Sequence, residues 1–431
     1  MTSQETLRPA VHPYPAPLPD SRADYTHGNV FNNCDVSFGV PFATACAKHA
    51  EDTFHATRVF ILSSATLANS TSALSDLKAA LGAKVAGVKF GFKAHTYFSE
   101  IFDTAEECRG LGVDLIVTLG GGSLTDLAKM ITLVLVNNVH DAVELLKLPT
   151  MVTAGTVPPA KNPTVPVICV STTLSGGEYT LGCGTTDDRE NQKHQFGFGA
   201  AIKLVILDAQ LVTTTTPPLL FLQSGVRALD HCIEALCSPY CNEVTEMHAK
   251  ASLERLVPGL LRCKADGDAK TDVEARLLCQ MASIDAIASV ARVYAPVGGS
   301  HAIGHILGPF GVVHGATSGI LLPAVCKYNA RHSSDAASRQ AGAKAILWGI
   351  PEMRRLVESK GLVEGVADLG DLLDTLVRRL GMARTLAEVG VGQDKFDRLA
   401  EFSLLDPFAL TNPVPLKEKV QVMEILEMVA E

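Results

Sequence analysis

Hydrophobic positions along this chain change texture partway through, and the change organises the reading. Residues 58–62 (RVFIL) form a compact apolar run ahead of Ser63 and Ser64, which predicts a buried strand leading into a turn. Residues 72–81 show helical spacing, 85–90 (VAGVKF) predict a second strand, and 97–111 predict another helix. Residues 114–119 (DLIVTL) predict a strong strand, followed by Gly120, Gly121, Gly122 and Ser123 and then a helix from Leu124. Further buried strands are predicted at 166–170 (PVICV) and 204–207 (LVIL). Strands alternating with helices imply an α/β unit around a mainly parallel sheet. Residues 213–218 (TTTTPP) break the pattern, and beyond them helical periodicity runs to Glu431 with almost no alternation. The expected organisation is a flexible or surface-wrapping Pro-rich arm over 1–30, an α/β domain over 31–217 and an all-helical domain over 218–431.

Composition narrows the function. A net charge of −9, with no block of five or six like charges, argues against a nucleic-acid-binding face. No apolar run approaches the roughly twenty residues needed to span a membrane. Residues 1–24 are polar and Pro-rich, with no apolar segment of the secretory kind. The eleven cysteines are odd in number, scattered and without a CxxC pair, as reduced cysteines of a cytoplasmic protein would be. Cys232, Cys237 and Cys241 lie close together, but at a spacing that fits no common metal site.

Two regions carry candidate chemistry. Gly120–Ser123 follows a strand and opens a helix, where bare backbone amides can hold a pyrophosphate. A tight turn would read the same way, and the run is not the GxGxxG fingerprint. Residues 171–178 (STTLSGGE) form a second small-residue loop after a strand, able to face the first at the sheet's C-terminal edge. In the helical half stand His231, His301, His305 and His314. His301 and His305 are four apart and share a helix face. Such a set suits a divalent metal such as iron or zinc, an anionic substrate, or acid–base work near neutral pH. Separate core or surface histidines are the alternative.

Taken in order, the motifs resemble the iron-type alcohol dehydrogenases, nearest to their maleylacetate reductase branch. The family's glycine loop stands here as GGGSLTDLAKMI from Gly120, and its Thr-rich loop as STTLSGGEYT from Ser171. A helix reading RALDHCIEA from Arg227, a HAIGHILGPFGVVHG segment from His301 and an LLP…YN stretch over 321–329 complete the likeness, which covers about residues 35–430. The resemblance implies a dinucleotide-binding α/β domain, a helical domain and an active site between them. It also implies that Gly120, Gly121, Gly122 and Ser123 bind the pyrophosphate, with Thr172, Thr173 and Lys193 near the ribose or nicotinamide. His231, His301 and His314 match three family metal ligands, and His305 matches a histidine near the nicotinamide and substrate. His95 and Thr96 resemble a His-Thr pair of the maleylacetate reductases. A homodimer is expected from the same likeness.

One departure matters most. The fourth family ligand is an aspartate four residues before the first histidine, and here that position is Arg227. Arginine stays protonated and has no acceptor, so it cannot ligate a cation. Asp230 is expected to point to a different helix face and so not to replace it. Maleylacetate reductases also lose this aspartate. Arg227 is therefore expected to substitute for the metal's charge, with His305 or His301 donating the proton. The position that contacts the ribose 2′-hydroxyl in NAD-preferring members falls at Ser63 or Ser64, so NADPH is expected to be accepted beside NADH. Arg292 is expected to be a surface arginine rather than a substrate contact. The competing readings are a metal-dependent alcohol dehydrogenase using His231, His301 and His314, a non-redox NAD-binding lyase of the dehydroquinate synthase kind, and a cofactor-binding pseudoenzyme.

Overall fold

A computed structural model describes residues 4–12, 30–93, 96–150, 160–190, 192–197, 199–312 and 314–431, the side chain of His314 excepted. The chain divides into two compact units, Met1–Thr216 and Pro217–Glu431.

The first unit runs β1 (Thr6–Pro9), β2 (Asp35–Phe38), α1 (Phe42–Asp52), β3 (Val59–Ser63), α2 (Ala65–Ser70), α3 (Ala73–Leu81) and β4 (Val85–Phe90). It continues through α4 (Phe98–Leu111), β5 (Leu115–Gly120), α5 (Gly122–Asn137), α6 (Ala142–Leu145) and β6 (Val167–Ser171). β7 (Gly182–Asp187), β8 (Gln192–Gly197), β9 (Ile202–Leu207) and α7 (Ala209–Thr215) complete it. Seven strands form one sheet in the order β1-β2-β9-β6-β5-β3-β4. All neighbours are parallel except β1, which runs antiparallel to β2. β3, β5 and β6 are buried at every residue, because helices cover the sheet and continuous apolar strands suit such a layer. Ile61, Val117, Val170 and Ile206 pack with Leu77 of α3 and Cys46 of α1, while α5 lies against β3, β5 and β6.

Strand order sets the site. After β3 the chain moves outward to the edge strand β4. It then crosses back to β5 on the other side of β3 and continues through β6. The connections diverge between β3 and β5, and ligands of open parallel sheets bind at such a switch point, outside the strands' C-terminal ends. Gly120 closes β5 at that place.

In the described part of the arm expected to be flexible or surface-wrapping, Thr6–Pro9 pairs with β2, and the Glu5 carboxylate accepts hydrogen bonds from Ser37 and His49, each at 2.6 Å, and from Lys48. A four-residue strand containing one buried-face alternation at most carries little periodic signal. The β7–β8 hairpin was likewise not anticipated, since GCGTTD reads as loop by composition.

The second unit contains α8 (Pro218–Cys237), α9 (Glu243–Asp266), α10 (Val273–Ala291), α11 (Gly299–Leu307), α12 (His314–His332) and α13 (Ser334–Gly349). α14 (Pro351–Glu358), α15 (Leu369–Leu380), α16 (Phe396–Ser403), α17 (Phe408–Thr411) and α18 (Lys419–Glu427) follow. No strand occurs among its described residues. α12 packs on α8, α11, α13, α15 and α18, around a core that includes Ile303, Leu307, Ile320, Leu399 and Ile425. The start of α12 approaches α8 backbone to backbone: a Cβ on Gly315 would come within 2.2 Å of the Gln223 carbonyl oxygen. That contact brings the three helices carrying the candidate chemistry, α8, α11 and α12, into one cluster. No helix among the described residues is long and apolar enough to cross a membrane.

Candidate active site

In the first unit, three loops leave the sheet side by side. Ser64 follows β3, Gly120–Ser123 follows β5 and Thr172–Glu178 follows β6. They touch: the Ser64 amide donates to the Leu119 carbonyl at 3.1 Å, and the Thr172 amide to the Gly120 carbonyl at 3.0 Å. Helix α5 begins at Gly122 with Gly121 as its N-cap, and no side chain caps its first amides by a hydrogen bond. Gly120 takes φ +153°, a conformation that L side chains rarely adopt. A Cβ on Gly121 would lie 3.0 Å from Thr173 Cγ2, and one on Gly122 would lie 3.1 Å from Ser175 Cβ. These glycines let the two loops close on each other while leaving backbone amides accessible. That is the cradle a pyrophosphate requires, and the residues fit a dinucleotide.

Other expected cofactor residues divide. Thr172 is buried, its carbonyl accepting from Thr216, and Thr173 is half-buried with its hydroxyl 3.0 Å from that of Ser175. Ser63 is 0% exposed, its hydroxyl donating to the Ser64 carbonyl, so it cannot reach a ribose. Ser64 stands half-buried as the N-cap of α2, its side chain accepting from the Leu67 amide. Lys193 stands exposed on β8 opposite Thr186. His95 lies outside the described residues. Thr96 has φ +52°, unusual for a β-branched residue, and its hydroxyl donates to the Ser123 carbonyl at 3.3 Å.

In the second unit, Arg227, Asp230, His231 and Glu234 occupy one stripe of α8 at helical spacing. His301 and His305 face them from α11. Glu234 organises the start of α11. Its carboxylate accepts from the amides of Gly298 at 2.9 Å and Ser300 at 2.8 Å, capping a helix that has no side-chain cap of its own. It also accepts from His301 Nδ1 at 2.7 Å. Asp230 Oδ2 accepts from the hydroxyls of Ser300, 2.9 Å, and Ser318, 2.6 Å. Arg227 donates through Nη1 to Ser318 at 3.2 Å and contacts His305 Nε2 through Nη2 at 3.3 Å, while Asp406 holds His305 Nδ1 at 2.8 Å. Because a guanidinium only donates, His305 Nε2 must accept, which assigns its proton to Nδ1. The His231 and His301 rings lie 4.8 Å apart, centre to centre. His314 opens α12.

Burial drives the electrostatics. Desolvation lowers Arg227, opposed by the charges of Asp230, Glu234 and Asp406. Burial, with Arg227 and His305 nearby, pulls His231 down to about 3, so it stays neutral. Burial raises Asp230 against the pull of Arg227, and burial followed by repulsion from Asp230 raises Glu234.

Asp230 therefore belongs to this cluster, contrary to the expectation that its helix face would exclude it: Asp230 Oδ2 is 3.7 Å from Arg227 and 3.4 Å from His301. A rotation of one residue shifts a side chain's face, yet α11 and α12 reach around to meet it. Asp230, Glu234 and His301 bring their ligand-type atoms within 4.8 Å of one another. Through Nδ1 His301 is not free to ligate, because that nitrogen is engaged with Glu234 Oε2 at 2.7 Å. The Arg227 guanidinium contacts His305 in the same group, where its positive charge acts against a bound cation. Arg292 also departs from expectation. It is buried, with Nη1 on His248 Nε2 at 3.1 Å. Asp230, Glu234, Asp406, Ser300 and Ser318 were not anticipated. The spacing 227/230/234 was the available signal for the first two.

An open parallel sheet with a glycine loop at its switch point, and a helical unit gathering a half-buried guanidinium and histidines, are what a nicotinamide-type oxidoreductase architecture requires. Comparison with known proteins agrees. Residues 38–209 match the family model "Iron-containing alcohol dehydrogenase", and residues 221–430 match "Fe-containing alcohol dehydrogenase family, C-terminal". Dehydrogenase FUM7 of Gibberella moniliformis is 36% identical over 92% of this chain and 96% of its own. Maleylacetate reductase of Sphingobium indicum is 27% identical over 89% and 92%. The solved structure of an alcohol dehydrogenase from Oenococcus oeni has the same fold, with a TM-score of 0.78 at 21% identity over 94% of this chain and 100% of that one. The chain belongs to the iron-containing alcohol dehydrogenase family, near its maleylacetate reductase branch, and is an oxidoreductase of CH–OH and C=O groups. The family uses a nicotinamide cofactor and often a metal.

Proposed function

We propose that the protein is an NAD(P)H-dependent reductase of small keto acids or aldehydes that works without a metal ion, Arg227 supplying the positive charge. A maleylacetate-like dicarboxylate is the best single substrate. The observation carrying this reading is Arg227, 12% exposed at the side chain and held between Ser318 and His305 at the position of a family metal ligand. A bound reduced nicotinamide supplies the hydride. Arg227 then polarises the substrate carbonyl or grips a carboxylate through charge-assisted hydrogen bonds. Of the two candidate acids, His305 is occupied as an acceptor from Arg227 with Asp406 on its other nitrogen. That leaves His301 to move the proton: Glu234 and Asp230 stand on its Nδ1 side and fix the orientation of its ring. Ser64 presents no carboxylate to a ribose, so a 2′-phosphate meets no repulsion there, and NADPH is accepted.

The buried His231 Nδ1 and Asp230 Oδ1 have no hydrogen-bond partner among the described residues, which favours the metal-dependent dehydrogenase as second reading. Elemental analysis of purified protein, paired with NADPH oxidation on maleylacetate with and without chelator, separates the two. Metal-free protein that stays active supports Arg227 as the charge. Stoichiometric iron or zinc with chelator-sensitive turnover overturns it. Cofactor that binds but is never consumed with any carbonyl would point to the lyase or the pseudoenzyme.

A further inference from the structure

Lys129 lies two turns into α5, the helix opened by the phosphate cradle, and is only 2% exposed. A buried ammonium is costly unless its three N–H groups are all satisfied. Here each has an acceptor, and all three acceptors belong to one short segment beyond β6: the Gly177 carbonyl, the Thr180 hydroxyl at 3.1 Å and the Gly182 carbonyl at 2.9 Å. The Thr180 hydroxyl also lies 3.1 Å from the Gly177 carbonyl and 3.0 Å from the Gly182 carbonyl, which closes the arrangement. Asp126, one turn earlier on α5, stands 3.5 Å from Lys129, and its Oδ1 would lie 3.6 Å from a Cβ on Gly177. One side chain thus fastens the exit of the Thr172–Glu178 loop to the helix that begins at the Gly120–Ser123 loop.

The loops lie in line along the sheet edge, Ser64, then Gly120–Ser123, then Thr172–Glu178. A dinucleotide whose pyrophosphate sits on the middle loop and whose adenosine half lies toward Ser64 must lay its nicotinamide half toward the third. We propose that Lys129 is a positioning residue for the nicotinamide half of the cofactor: it fixes the third loop's distance from the phosphate cradle without touching the cofactor itself. This rests on the reading that a dinucleotide binds across these loops.

The test compares NADPH with ADP, which reaches only the adenosine side and the phosphate cradle, in wild-type protein and in Lys129→Met. Methionine keeps length and apolar bulk but removes the ammonium that ties the three acceptors to α5, and the Thr180 hydroxyl can donate to only one of the two carbonyls. The expected result is a rise of about tenfold in the dissociation constant and KM for NADPH, with ADP affinity and kcat changed less than about threefold. Methylammonium added to Lys129→Ala should restore part of the NADPH affinity. Thr180→Ala, which keeps the ammonium and removes one acceptor, should show the same selective pattern at smaller size and covers the case in which the lysine variants fail to fold. Equal weakening of NADPH and ADP, or no weakening in folded variants, overturns the proposal. Wild-type protein that binds neither nucleotide would instead defeat the underlying reading.

Discussion

Replacing Arg227 with methionine removes the guanidinium and keeps most of the side chain's volume. Two consequences can be worked from the structure. Arg227 and Asp230 are 3.7 Å apart, with 12% of the arginine side chain and none of the aspartate exposed. At an effective dielectric near 20 their attraction is about 4 kcal/mol. Asp230 keeps its hydrogen bonds from Ser300 and Ser318 and, with its pKa already raised by burial, can take up a proton. The net destabilisation is therefore expected at about 2 kcal/mol, below the gross attraction. That corresponds to a fall in melting temperature of about 4–8 °C for a unit of this size. The catalytic loss should be larger. Removing one preorganised donor to a developing oxyanion costs about 10²–10³ in kcat, and a charged donor belongs at the upper end. The assay is steady-state NADPH oxidation with a carbonyl substrate, run below the variant's melting range, and compared with Arg227→Lys, which restores charge without the planar fork. Partial recovery in the lysine variant would assign the effect to charge. A folded Arg227→Met protein with unchanged kcat and KM would refute the reasoning, and a loss of stability alone would reduce Arg227 to a structural ion pair.

Three further outcomes are expected. Gly122→Val pushes into Ser175 and covers the amides at the start of α5, so the KM for cofactor should rise by about tenfold or more with little change in melting temperature. Glu234→Gln presents an amide N–H₂ to donors that the carboxylate now accepts from, Gly298, Ser300 and His301; leaving one such donor unmet costs about 1–3 kcal/mol, readable as a lower thermal midpoint. It should also cut kcat, because His301 loses the partner that fixes its tautomer. For Glu5, burial tends to raise the carboxyl, but hydrogen bonds from Lys48, Ser37 and His49 outweigh it and hold the pKa near about 2, against 4.5 ordinarily. A group depressed in this way contributes its stability above pH 4.5 and loses it as pH falls toward 2. Up to about 3 kcal/mol should vanish over that window, and Glu5→Gln should lack it already at pH 7 in urea titrations.

Much of the architecture was legible because buried parallel strands are continuous apolar runs. RVFIL, DLIVTL, PVICV and LVIL each became a strand within a residue or so of expectation. β1, β2 and the β7–β8 hairpin were not legible, being short and rich in polar or glycine residues, and their existence depends on partners distant in sequence. The site divides along the same line. The glycine cradle was visible because backbone requirements are written locally. The carboxylates were not: Asp406 lies 101 residues from the His305 it holds, and nothing local announces the pairing. Asp230 was misjudged because a helical wheel considers one helix, whereas Ser300 on α11 and Ser318 on α12 converge on it from two others. Arg292 was misjudged because arginines are usually exposed, and its buried partner His248 stands 44 positions away.

The antiparallel strand β1 has a consequence for handling the protein. It covers one margin of the sheet, where β2 would otherwise present a row of unpaired backbone amides and carbonyls next to Val36, which is fully buried. Bare sheet margins invite strand addition from other chains. Trimming the first dozen residues, a natural step when shortening a chain for crystallisation, would expose that margin and is expected to promote self-association, readable by size-exclusion chromatography. An affinity tag is better attached with those residues left intact.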